Sequence, residues 1–168
     1  MKNHYLLCAD KSGSDDTVLL PRDNDFLSCI SDILENPKVL SMHRYIQHGA
    51  TSCLQHCLSV SYLTYRFCRK HKLNFKSAAR AALLHDLFLY DWHLHAKLTG
   101  EHFHGYTHPA LALKNAEAQF DLSPMEKNII LRHMWPLTPI PPLFAEGFVV
   151  VWYDKYCGIL EMLSRPCY

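Results

Sequence analysis

The nine residues Ala78 to Asp86 read AARAALLHD and constrain the fold more than any other stretch of the chain. Alanine is the best helix former and leucine follows closely, so the segment predicts a helix, with Asn74 a suitable cap. That helix ends on two side chains, His85 and Asp86, that an apolar core does not tolerate alone. A carboxylate withdrawn from water is costly unless it is paired or bound to a metal. The fold therefore has to bring partners to this helix end from other elements.

The rest of the chain offers helices for that purpose. Phe26, Cys29, Ile30, Ile33 and Leu34 recur at helical spacing until Asn36 and Pro37 stop them. Beyond Gly49, Thr51 or Ser52 can cap a long helix with Leu54, Cys57, Leu58, Ser61, Tyr62 and Tyr65 on one face and His56 inside it. Residues 91 to 107 lack periodicity and read as a loop. Thr107, His108 and Pro109 then open a helix, with Pro in its first turn. Ser123-Pro124-Met125-Glu126 is a capping box for a helix to Met134. Pro136, Pro139, Pro141 and Pro142 form a stiff connection to a final helix from about Phe144 to Leu163, with Gly147 and Gly158 as weak points. Short strands are admissible in residues 1–20, and no βαβ pattern exists. A chain of 168 residues suits one core, so the fold class expected is all-α in a single helical bundle.

Composition narrows the partners. Lys and Arg number 17 against 16 for Asp and Glu, so there is no strong nucleic-acid signal from a basic field. Seven cysteines without a CxxC pair argue against a disulfide framework or zinc ribbon and fit the reducing cytosol. The first sixteen residues lack the basic and apolar regions of a signal peptide. The longest apolar run, Phe148 to Tyr153, stops at Asp154, so the expectation is a cytoplasmic protein with no membrane partner. The 12 histidines are the unusual count.

Three features carry chemistry: His56 within its helix, the pair His85-Asp86, and Asp154 directly after the Phe148–Tyr153 run. Singly, each has an ordinary structural reading, as a satisfied core histidine, a hydrogen-bonded pair at a helix end, and a buried partner of an arginine. Together, in order and on separate helices, imidazoles and carboxylates point to a divalent cation.

This order, His, then His-Asp, then Asp on successive helices, resembles the HD-domain superfamily of metal-dependent phosphohydrolases. The resemblance covers about residues 45–160, with AARAALLHD similar to the family's central helix. It implies an HD domain over residues 41–168, with residues 1–40 an N-terminal extension that packs one helix on it. Family members with two metals carry further histidines where this chain has His108 and His133. By resemblance, one ion takes His56, His85, Asp86 and Asp154, and the other takes Asp86, His108 and His133. Asp86 and His85 are then the catalytic pair. Two such cations, about 3.5–4 Å apart, activate a water for in-line attack on a phosphoryl group. An imidazole-rich site suits iron or manganese first, with nickel, zinc, cobalt and magnesium also admissible.

The substrate expected is a small phosphorylated metabolite or nucleotide, with Arg132, Lys155, His102 and His104 as candidate contacts and Arg80 and Lys97 as further cations. His102 and His104 also compete with His108 for the second ion, but His108 is followed by a regular helix, which holds geometry better. His48 reads first as a solvent-exposed loop residue, with a place at the pocket mouth as the alternative. Many relatives read His-Asp-Ile-Gly with a following Lys, whereas this chain reads His85-Asp86-Leu87-Phe88-Leu89-Tyr90-Asp91. The cyclic-dinucleotide phosphodiesterase branch is therefore disfavoured, and Tyr90-Asp91-Trp92-His93 is similar to small bacterial HD proteins. Two other function classes use the same ligands: an HD-fold diiron oxygenase, and a noncatalytic metal- or nucleotide-binding module. Cys53 and Cys57 read as buried structural thiols. Phe144, Phe148, Trp152 and Tyr156, four residues apart, read as a core stripe.

Overall fold

The structure, a computed structural model, describes residues 6–7, 19–90, 104–163 and 167. Helix dominates them, and the chain is a mostly α, single-domain fold. The helices are α1 (Asn24–Leu34), α2 (Pro37–Leu40), α3 (Cys53–Lys70), α4 (Phe75–Leu84), α5 (His104–Glu117), α6 (Pro124–Arg132) and α7 (Ala145–Met162). Two short antiparallel ribbons accompany them. Strand β1 (Leu6–Leu7) pairs with β2 (Leu19–Leu20), and β3 (Ile46–His48) pairs with β4 (Thr51–Ser52). No described helix is long and apolar enough to cross a membrane.

Most helix starts follow from local chemistry. Ser52 caps α3 and Asn74 caps α4, each accepting from a backbone N–H three residues on. At α6 the capping box is complete: Ser123 Oγ accepts from the Glu126 N–H at 3.3 Å and Glu126 Oε2 accepts from the Ser123 N–H at 2.7 Å. Asp23 caps α1, so that helix begins before its apolar stripe. One start differs from expectation. Helix α5 begins at His104 rather than Thr107, which leaves Pro109 inside it, where the ring removes the N–H that would pair four residues back.

Helix α3 lies centrally, packed on α4 and α7, while α4 also touches α1 and α6. The alanines of α4 let it come close: Ala78, Ala79, Ala81 and Ala82 are fully buried, and Ser61 of α3 donates to the Ala79 carbonyl at 2.7 Å. A side-chain hydroxyl reaches a neighbouring helix backbone only across a thin layer of side chains. Arg80, on the other face of α4, bonds Asp32 of α1 at 2.5 Å and Glu126 of α6 at 3.0 Å. It is a tie between three helices, not a substrate contact, because both carboxylates already engage its guanidinium.

Helix α7 corrects two expectations. Gly147 and Gly158 are its contact points rather than weak points: a Cβ on Gly147 would lie 2.5 Å from Pro142 Cβ, and one on Gly158 would lie 3.2 Å from His48 Nε2. They share a buried face with Val150, Val151, Cys157, Glu146 and Glu161. The aromatic stripe is therefore on the outside, with Phe148, Trp152 and Tyr156 exposed and Phe144 half-buried. A helix has one inward face, and here the glycines and carboxylates occupy it.

Gly147→Ala is expected to destabilise the fold. Overpacking against a rigid proline costs about 1–3 kcal/mol, more than the helix propensity gained, about 1 kcal/mol. Urea unfolding should show a lower midpoint, and an unchanged or raised midpoint would contradict the packing described.

Candidate metal centre

Two histidines occupy the same local position. His85 follows the last residue of α4 and His133 follows the last residue of α6. Each ring Nδ1 meets a carbonyl three residues back, His85 to Ala82 at 2.7 Å and His133 to Ile130 at 2.8 Å. A carbonyl oxygen only accepts, so Nδ1 carries the proton and donates. The bond satisfies one of the carbonyls that a helix end leaves orphaned, and it aims Nε2 away from the helix. His56, inside α3, is held the same way by another acceptor, donating Nδ1–H to Glu161 Oε2 of α7 at 2.8 Å.

The three Nε2 atoms converge on the carboxylates. His56 Nε2 lies 3.2 Å from Asp154 Oδ1, and His85 Nε2 lies 3.6 Å from the same oxygen and 3.3 Å from Asp86 Oδ2. On the other side of Asp86, Oδ1 lies 3.2 Å from His108 Nε2 and 3.5 Å from His133 Nε2. The two oxygens of Asp86 thus face two different sets of imidazoles. His108 and His133 approach each other, Nε2 to Nε2, at 2.8 Å. Two lone pairs at that distance repel, so a proton or a cation has to lie between them.

The donor atoms fit a metal. His56, His85 and Asp154 form one group whose ligand atoms lie within 4.8 Å of one another, and His85, Asp86 and His133 form another. His85 Nε2 and Asp86 Oδ1 are buried, and among the described residues no hydrogen bond satisfies either. A buried polar atom without a partner is expensive, and a cation bound to both, taking the place of any proton on His85 Nε2, removes that cost.

Charge in the cluster is strongly coupled. Burial alone would raise the Asp86 pKa, but the charge on His85 and the neighbouring His108 more than offset it and hold the carboxyl well below its usual range. Asp154 is likewise held low against burial by His56 and His85. Burial opposes charge on His56 as well, yet Asp154 and Glu161 keep its pKa well above an ordinary histidine. Asp86 does the same for His85. His133 goes the other way: burial, with His85 and His108 nearby, lowers it to about 3, so it is neutral at pH 7.

All six residues expected as ligands, His56, His85, Asp86, His108, His133 and Asp154, meet in this cluster, from five separate elements or helix ends. Of the expected substrate contacts, Lys155 lies at its edge, with Nζ 3.6 Å from Asp154 Oδ2 and 3.4 Å from the His133 carbonyl. Arg132 ends α6, and no ion pair among the described residues joins it to the cluster. His102 and Lys97 lie outside the described residues, as does the side chain of His104.

His48 is not a solvent-exposed loop residue. It belongs to β3, is half-buried, and sets its ring edge-on to His56 at 5.3 Å, because the Gly49 turn packs on the Glu161 carbonyl. Cys53 and Cys57 are buried, and burial raises both thiols, as structural cysteines require. Two residues were missed. Glu161 sits seven positions after Asp154, two helical turns on the same face, which is a legible signal. Gln47 donates to Asp86 Oδ2 at 2.5 Å and has no sequence signal, since the β3 turn alone places it there.

Compared with family models, curated proteins and solved structures, the chain matches none.

Two outcomes are expected. The carboxylates beside His56 and His85 favour their protonated forms in metal-free protein, so a cation that binds there is expected to displace protons. Calorimetric titration with Mn²⁺ in buffers of different ionisation enthalpy should show proton release, with affinity falling as pH decreases; buffer-independent heats would contradict this. Glu161→Gln keeps an acceptor for His56 but removes the charge behind it, and should weaken metal binding about 10–100-fold. Unchanged affinity would mean that Glu161 is not needed to orient the ring.

Proposed function

We propose that the chain is an HD-domain, metal-dependent phosphohydrolase with two divalent cations, acting on a small phosphorylated metabolite or nucleotide. The observation that carries this reading is Asp86, whose two carboxylate oxygens face separate imidazole sets, with Oδ1 and the adjacent His85 Nε2 unsatisfied. The order His56, His85-Asp86, Asp154 supports it from the sequence side.

In this reading His56, His85, Asp86 and Asp154 hold one cation, and Asp86, His108 and His133 hold the other. Iron or manganese suits such ligands best. When bound, the pair supplies Lewis-acid activation of water and neutralises charge developing on the phosphoryl group. The chain's own residues prepare that chemistry. Glu161 and the Ala82 and Ile130 carbonyls fix which ring nitrogen of His56, His85 and His133 faces inward. Gln47 holds Asp86 Oδ2 and restrains rotation of the carboxylate. Lys155, exposed at the edge of the cluster, offers an ammonium to substrate phosphate. His102, His104 and Arg132 complete the set of proposed substrate contacts.

Protein purified without chelator should contain transition metal and release phosphate or alcohol from aryl and nucleoside phosphoesters. Asp86→Ala should lose both metal and activity. Lys155→Ala should keep its metal and raise KM about tenfold, the loss of one charge-assisted hydrogen bond. A fully loaded enzyme that leaves every phosphoester intact but consumes oxygen with iron would overturn hydrolysis in favour of oxidative chemistry.

A further inference from the structure

Helix α7 turns its carboxylates inward and leaves most of its large aromatic and several aliphatic residues exposed. Glu146 and Glu161 are buried and Asp154 faces the cluster, whereas the exposed positions are Ala145, Phe148, Trp152, Lys155, Tyr156, Ile159 and Met162, with Leu163 just past the helix end. Only one of these is charged. Lys155 turns its ammonium back toward Asp154 and the His133 carbonyl, which leaves its aliphatic stem on the face. Trp152 is 69% exposed and Leu163 61%, far from the pattern of a surface helix that faces only water.

We infer that this face is a homodimer interface in which α7 packs antiparallel against α7 of a second copy. The spacing of the exposed residues selects a second copy over another partner. Phe148, Trp152, Ile159 and Leu163 follow one another at intervals of four, seven and four residues, a spacing that reads the same in both directions. A twofold axis demands that symmetry, since each residue i that touches j must also find j touching i. Crossing between Lys155 and Tyr156, the axis sets Trp152 of one copy against Ile159 of the other, and Phe148 against Leu163. Aromatic then meets aliphatic at every step, so large side chains do not collide with their own images.

The area agrees. Taking about 150–250 Å² for each large side chain, the exposed parts of Phe148, Trp152, Tyr156, Ile159, Met162 and Leu163 come to about 500–800 Å² per copy. A standard interface buries about 800 Å² per partner. The face lies on the helix that supplies Asp154, Lys155 and Glu161, so the interface runs beside the candidate metal centre without using its ligands.

Sedimentation velocity of the full chain, as purified and over about 1–100 μM, tests the inference. A species of twice the chain mass is expected. Trp152→Glu should raise the dimer dissociation constant at least about thirtyfold, the effect of losing one hot spot, with helical circular dichroism and metal content unchanged. Ile159→Glu, at the position that faces Trp152, should do the same and guards against a folding defect specific to one variant. A wild type that stays monomeric throughout, or a dimer that both variants leave intact, would overturn the proposal. So would a monomer that floats with phosphatidylcholine vesicles, which would assign the face to lipid.

Discussion

The Asp86 carboxylate is the group on which the site depends. It is buried at the end of α4, ionised by its surroundings, and too costly to leave without positive charge. Four elements answer it: β3 brings Gln47, α5 brings His108, the end of α6 brings His133, and His85 comes from its own helix end. Asp154 and His56 extend the same network one step further. The arrangement of helices is in this sense a set of attachments around one oxygen pair.

What lets those attachments be made is the smallness of the residues between them. Buried alanines bring α4 against α3, and Gly147 and Gly158 bring α7 against the Pro142 segment and His48. The imidazoles are then aimed by their other nitrogen. Two of them use a free carbonyl at a helix end, so the helix termini do more than close the elements: they orient the imidazoles of the cluster. The third uses Glu161, which explains why a carboxylate stands among apolar residues late in α7.

Much of the cluster was legible in the chain because its candidate ligands fall at helix ends or on helix faces that local signals define. The caps at Ser52, Asn74 and Ser123 and the stop after Leu84 are local facts, and they set where His56, His85 and His133 stand. Glu161 was legible in principle from its spacing to Asp154. Gln47 and His48 were not, because a ribbon of a few residues has too little periodicity to declare itself, and its position depends on Gly49 meeting the Glu161 carbonyl.

The sequence by itself determined the helical class, most helix boundaries and the stations of His56, His85-Asp86 and Asp154, since propensity, capping and apolar spacing act within a few residues of one another; His108 and His133 entered as candidates only through the family resemblance. Tertiary structure alone decided which face of α7 turns inward. Aromatic residues at helical spacing mark a face without saying what covers it; the glycines pack closely and the carboxylates have partners only on the inside, and that sent Phe148, Trp152 and Tyr156 to the surface. It also decided that Arg80 binds Asp32 and Glu126 rather than a substrate. The pairing of a charge is settled by distance in space, which no local pattern encodes.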